Sequence, residues 1–454
     1  MKSDIIPSLH RGLIDDRSVV QTGVKSNSLE VMYSITYFTL AIYSGTIYFL
    51  VSPVYQYMNG HMDSPYAIPI LGTYVWFTWL GKAYFGHITD SYLLCGRRTT
   101  PYFVLLILGN IMVVAACIII KTTNVWIMLI LCSIVVTMFS FIDAVAQGLT
   151  TFKLQLECES GFLENFEQRE RYCRSCSKHF GHFVITKFAS RLCCLGFGTY
   201  ASVHYKFNTC MLIFVGFTSF ILMFLLCFFK ELKKVPKKQE SSFWSLICQQ
   251  LSIFFKNVLS QRLLLGVTLA LCSPNLAVET YILANNDKTK ENILPLYSLM
   301  ALGLVICMFP TINLIVKEAT FRKVTLIMFC VSLLLSQASL SYLAHNGDTS
   351  EVLSFWIDAY LFLSNLTNCL ALLPLVSACS SLIQSGRESL SINLISTFYN
   401  VAVLISRSIL LLEDSLTEGS FVDLEFSKLY SVIDINAIFS VIMVVFLITL
   451  SKRQ

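Results

Sequence analysis

The chain has 454 residues, of which 55% are hydrophobic and 13% charged, and its formal net charge is +5. A soluble protein of this length needs a far more charged surface. The composition therefore excludes a water-soluble globule and leaves an integral membrane protein whose apolar side chains face lipid.

In chain order, residues 1–30 are polar with charges of both signs, and no signal peptide or transit sequence is apparent there. We read them as a cytoplasmic tail. Twelve segments beyond them are long and apolar enough to span a bilayer as helices, each needing roughly 20 residues. They are 31–52, 67–89, 102–120, 125–148, 183–203, 208–229, 263–285, 294–316, 324–345, 352–377, 389–412 and 430–450. The fifth begins among Lys187 and Arg191, and the seventh is interrupted by Pro274 and Glu279. Residues 243–261 alternate apolar and polar at helical spacing, the pattern of a helix lying on the membrane surface.

Charge gives an independent test of this reading. With a cytoplasmic N-terminus, the inner segments and tail hold 24 of the 33 Lys and Arg, and the outer loops hold five. That asymmetry is what the positive-inside rule expects. Both termini then lie in the cytoplasm. The basic run "KELKKVPKKQE" at 230–240 divides the chain nearly in half. The expected fold is an all-α membrane protein of two six-helix bundles, 31–229 and 263–450. A cytoplasmic linker over 230–262 joins them, and a short tail follows at 451–454. The sixteen cysteines lie mostly inside apolar runs such as "RLCCLGFG" and read as small buried hydrophobes.

Between the second and third spans, "GHITDSYLLCGRR" places Gly86, Asp90, Gly96, Arg97 and Arg98 at the inner membrane edge. Small residues such as Gly81 and Gly86 permit close helix approach. A carboxylate at Asp90 suits a helix N-terminus, and Gly96 allows a sharp reversal. The bland alternative is an ordinary turn carrying positive-inside arginines.

This pattern resembles the inner-loop signature of the major facilitator superfamily, whose members have twelve spans in two halves. The resemblance implies a conformational latch formed by Gly86, Asp90, Gly96, Arg97, Arg98 and Glu388. In that family the aspartate meets the N-terminus of the eleventh helix and holds the outward-open state; here the partner would start near 387–389. The flanks resemble the folate–biopterin transporter family more narrowly. Trp79, Lys82, Gly86 and Asp90, followed by "GRRTTPY", are similar to its W-x-x-K-P-x-x-G-x-x-[ST]-D run, with Ala83 in place of the proline. "FIDAVAQGL" carries Asp143 where that family has an aspartate, with Gln147 where a second is common. "SGRESLSINLISTFYN" is similar to a further run at Gly386, Glu388, Leu394, Ser396 and Asn400.

Ionisable residues within spans are expensive to hold there and are functional candidates. These are Lys82, Asp143, Glu279, Asp358 and Arg407, with Asp434 nearer a helix end. Counting the rise per residue puts Lys82 and Asp143 in the inner half, and Glu279, Asp358 and Arg407 in the outer half. Lys82 could pair with Asp143, and Arg407 with Asp358 or Glu279. Such pairs either lock helices or serve cargo. The folate–biopterin resemblance implies that Lys82 and Arg407 would suit carboxylates and that Asp143 could couple transport to protons. Trp76, Trp79, Phe398 and Tyr399 could stack on a flat ring, although helix packing or lipid contact is the commoner role of such aromatics.

"CRSCSKHFGH" offers Cys173, Cys176, His179 and His182, but their uniform spacing of three is too tight for a zinc finger. No metal and no cofactor is expected. The sequon at Asn365 lies mid-span. No phosphate-binding loop and no nucleophile–base motif points to an enzyme. The expected function is secondary active transport of folate or pterin-type solutes, with protons as the coupling ion. The protein is expected to be a monomer in the plasma membrane, with the lipid bilayer and a small molecule as partners and no nucleic acid. The alternatives are transport of another organic solute, or a transport-inactive receptor or scaffold.

Overall fold

The computed structural model describes residues 77–95, 97, 99–120, 125–159, 204–228, 242–272, 318–346, 350–379, 386–416 and 430–452, with a few more between these stretches. Ten α-helices lie among them: α1 Lys82–Ser91, α2 Thr100–Ile120, α3 Val125–Glu159, α4 Phe207–Phe228 and α5 Phe243–Lys256. These are followed by α6 Val258–Leu271, α7 Glu318–Asn346, α8 Ser350–Cys379, α9 Glu388–Leu416 and α10 Tyr430–Lys452. A 3-10 turn, Trp79–Gly81, leads directly into α1. The expected first, fifth and eighth spans fall wholly or almost wholly outside the described residues.

Local chemistry explains several of the boundaries. Pro101 sits in the first turn of α2, where a missing N–H costs nothing. The hydroxyl of Ser242 caps α5 by accepting from the Ser245 N–H at 3.3 Å. Asn257 (φ −85, ψ 109) ends α5. Its side-chain oxygen accepts from the Ser260 N–H at 3.2 Å and so also starts α6. The amphipathic helix expected over 243–261 is thus divided at Asn257, and α6 begins before the linker boundary expected at 262. Helix α3 runs to Glu159, beyond the expected end of its span at 148. Helix α8 continues through Pro374.

Several polar residues inside the apolar helices bond back to their own helix. The hydroxyls of Thr137, Thr218 and Thr367 donate to carbonyls one turn back, on Ser133, Phe214 and Leu363. The Asn365 amide does the same to Leu361. In lipid a bond back to the same helix is a low-cost way to satisfy a side-chain donor. Large apolar side chains cover the outside, among them Leu105, Met112, Ile119, Ile130, Ile438 and Ile442. Among the described residues, three helical stretches are long and apolar enough to cross a membrane: Thr100–Ile120, Lys323–Tyr342 and Glu388–Ser406. The bent pair α5–α6 passes the same test jointly.

Buried apolar residues form two clusters. One, around Phe103, Ile107, Phe139 and Phe214, is built by α2, α3 and α4. The other, around Phe254, Leu264, Phe329, Leu375 and Ile395, is built mainly by α5 through α10, with Ala83 of α1 and Ala301 and Val305. Helix α9 belongs to the second cluster yet packs against α1 and α3. Its contact there is rich in small polar residues, with Ala83 of α1 joining the second cluster.

Two independent cores predict additive energetics. Phe139→Ala and Phe329→Ala should each destabilise by about 3 kcal/mol, in the range for emptying a packed aromatic site. The double variant should lose the sum, as read by thermal unfolding in detergent. A shared core would give a marked departure from that sum.

Candidate functional site

Helix α9 enters the molecule between two glycines. A Cβ on Gly86 of α1 would meet the Ser389 carbonyl oxygen at 2.6 Å and carbon at 2.8 Å. A Cβ on Gly148 of α3 would meet the Ser389 hydroxyl at 2.3 Å. The first turn of α9 therefore lies in contact with the backbone of one helix and close against a second. Only a residue without a side chain allows that approach at either position.

Close approach lets short polar side chains reach across. Asp90, at the end of α1, accepts from the backbone N–H of Leu390 at 2.8 Å. This is an otherwise orphan donor in the first turn of α9, at its positive dipole end. The Thr89 hydroxyl lies 3.0 Å from that of Ser389. Ser389 and Asn393 both donate to the Ala144 carbonyl of α3, at 3.3 and 2.9 Å. Further along, Ser396 donates to Gln147 Oε1 at 3.0 Å, and Asn400 donates to the Trp79 carbonyl at 3.2 Å. The result is a continuous polar seam between α9 and the pair α1–α3.

Next to the seam sits a buried ion pair. Lys82 and Asp143 are each 2% exposed, and Lys82 Nζ donates to Asp143 Oδ2. Charges this deep must be paired, since leaving one alone costs several kcal/mol. The same carboxylate oxygen accepts from Gln147 Nε2 at 3.2 Å. The ammonium also lies 4.5 Å from the centroid of the Trp79 ring, within cation–π range. Lys82, Asp143 and Trp79 thus form one cluster.

The loop ahead of α9 is shaped for its position. Gly386 has φ 76, a left-handed conformation that favours glycine. The buried Glu388 carboxylate accepts from the Gly386 N–H, closing the turn. Arg387, half-buried between them, donates to Gln249 of α5. Burial lowers its pKa from the usual guanidinium value, and the Asp90 charge partly opposes that. On the α1 side, Arg97 is exposed and its N–H donates to the Leu94 carbonyl. The left-handed residue described in that turn is Cys95 (φ 53); Gly96 and Arg98 lie outside the described residues.

The other sequence candidates divide in the same way. Asp358 is half-buried on α8. Arg407 and Asp434 lie on α9 and α10, but their side chains fall outside the description, as do Glu279, Trp76 and the Cys173–His182 group altogether. Phe398 packs edge-on to Phe255, and the Tyr399 hydroxyl lies 3.4 Å from the Asn368 carbonyl. Both are engaged in helix packing. Four residues that sequence reasoning passed over are Thr89, Gly148, Ser389 and Asn393. A signal for the last two was present: Ser389, Asn393, Ser396 and Asn400 recur at i, i+4, i+7 and i+11, a polar stripe at helical period in an apolar segment.

Neither a family model nor a curated protein sequence matches this chain. Among solved structures it is similar to the human organic anion transporter MFSD10 (TETRAN), with a TM-score of 0.58 and 12% identity over 90% of this chain and 98% of that one. It is also similar to a bacterial homologue of the iron transporter ferroportin, solved in an outward-facing state with soaked iron. There the TM-score is 0.56 and the identity 12%, over 92% of this chain and 98% of the other. The chain shares the overall helical fold of these two proteins. At this identity the likeness is one of fold.

The seam geometry makes a graded prediction. Gly86→Ala forces the α9 backbone away and should destabilise by about 1–3 kcal/mol, as overpacking does. Gly148→Ala should do the same. Gly216→Ala in α4, where nothing lies within 4 Å, should be neutral or stabilising by up to about 1 kcal/mol. Thermal unfolding of the three purified variants checks the order.

Proposed function

We propose that this protein is a secondary transporter that moves a small organic solute across a membrane by alternating access. In this reading the polar seam is the inner gate: Asp90, Gly86 and the first turn of α9 close the cytoplasmic side, and parting them opens it. The observation that carries the reading is the Asp90 carboxylate on the Leu390 N–H, in a contact whose other hydrogen bonds are between neutral groups. Such bonds between membrane helices average roughly 0.6 kcal/mol, so the gate can be reversed by the binding energy of a solute. Glu388 shapes the turn that presents α9 to Asp90. Arg97, with Gly96 and Arg98, completes the inner loop.

The buried pair beside the gate is the substrate or coupling site in this proposal. A carboxylate-bearing solute would compete with Asp143 for Lys82, while the Trp79 ring offers an aromatic face. That chemistry fits an organic anion, the class named for the human transporter of similar fold. Folate or a pterin is the narrower version, supported by the Trp79, Lys82, Gly86 and Asp90 run and by Asp143 lying against Lys82. Asp358, Arg407 and Glu279 are held as further candidates on the outer side. We place the protein in the plasma membrane with both termini inside.

Uptake into proteoliposomes across a pH gradient tests these versions together. The panel comprises folate, biopterin, other organic anions, sugars, nucleosides and amino-acid derivatives. Saturable uptake of folate or biopterin selects the narrow reading, and uptake of another solute selects the broad one. Binding without flux selects a receptor. For a solute that is carried, Asp143→Asn should abolish proton-driven uptake while leaving solute exchange. Unaltered pH-dependent uptake in that variant would remove Asp143 from the coupling role.

A further inference from the structure

Among the described residues, Gln147 bridges the ion pair and the gate by a hydrogen bond at each end of its side chain. Gln147 lies one turn beyond Asp143 on α3, so both face the same way. Its Nε2 donates to Asp143 Oδ2 at 3.2 Å, and its Oε1 accepts from the Ser396 hydroxyl of α9 at 3.0 Å. Asp143, Gln147 and Ser396 are all buried, at 2%, 4% and 5% exposure. Water cannot readily substitute for either bond.

A carboxamide is polar end to end, and its orientation is set by whichever neighbour is less adaptable. An ionised Asp143 only accepts, so it holds the NH2 end of Gln147 toward itself. The carbonyl end must then face α9, and Ser396 must donate. We propose that Gln147 is a positioning residue that transmits the charge state of the Lys82–Asp143 pair to the α3–α9 contact. When a proton neutralises Asp143, the carboxyl can donate as well as accept, and the constraint on the amide is lost. The Ser396 bond then no longer has a fixed donor and acceptor. This deepens the gate reading given above and rests on it, because it names how the buried site would signal to the seam.

Amide hydrogen exchange of α9 residues 388–400, measured on the full chain in nanodiscs, tests the proposal without requiring a known substrate. Ser396→Ala should speed exchange about fivefold, the effect of losing one net hydrogen bond. In a Gln147→Met background, which conserves bulk but removes both bonds, adding Ser396→Ala should change nothing further. In an Asp143→Asn background the Ser396→Ala effect should shrink to less than twofold. Equal Ser396→Ala effects in all three backgrounds would overturn the proposal, since Gln147 would then be a packing residue only. If Gln147→Met does not fold, the Asp143→Asn arm decides by itself. A chain that carries no solute but shows the exchange coupling would defeat the transport reading and leave the coupling standing.

Discussion

The architecture turns on one constraint: the first turn of α9 must fit between Gly86 and Gly148. Every other feature of the seam follows from that approach. Only at backbone contact can Asp90 reach the Leu390 N–H at 2.8 Å, and only there can serine and asparagine side chains span the gap. The carboxylate contributes on the order of 0.3–2 kcal/mol at a helix N-terminus. Its larger effect is to fix the register of α9, so that Ser389, Asn393, Ser396 and Asn400 each meet a partner.

The energetics of this contact suit a gate better than a permanent joint. Among the described residues, at least six hydrogen bonds link α9 to α1, α3 and the turn preceding α1. At the modest value of such bonds between membrane helices they amount to roughly 4 kcal/mol. An apolar core of the same extent would hold more tightly and would merge the two apolar clusters. The ion pair is different in kind. Separating Lys82 from Asp143 without a replacement costs about 3–5 kcal/mol, so the pair is stable until something else with charge arrives.

Much of this was legible in the sequence, for definite reasons. Apolar length located the described spans Thr100–Ile120, Lys323–Tyr342 and Glu388–Ser406, because lipid leaves no alternative to internally satisfied backbone. The charged loop stood out because Asp90 and the arginines interrupt a long apolar background. Lys82 and Asp143 were conspicuous as intramembrane charges, and their depth could be estimated from helical rise. The seam itself was harder. Ser389, Asn393 and Thr89 are small and neutral, so hydropathy passes over them one at a time; only their spacing sets them apart. Gly148 has no signature apart from the helix that presses on it. The break at Asn257 depends on one side chain capping the next helix, which periodicity does not register.

A disulfide across the seam tests the proposed gate most directly. Thr89 and Ser389, 300 residues apart in sequence, have hydroxyl oxygens 3.0 Å apart. Thr89→Cys/Ser389→Cys would be made in a background where the exposed Cys95 and Cys248 are replaced by serine. Oxidation should stop uptake of whichever panel solute is carried, and reduction should restore it. Uptake continuing at full rate with the disulfide completely formed would contradict a gate at this seam.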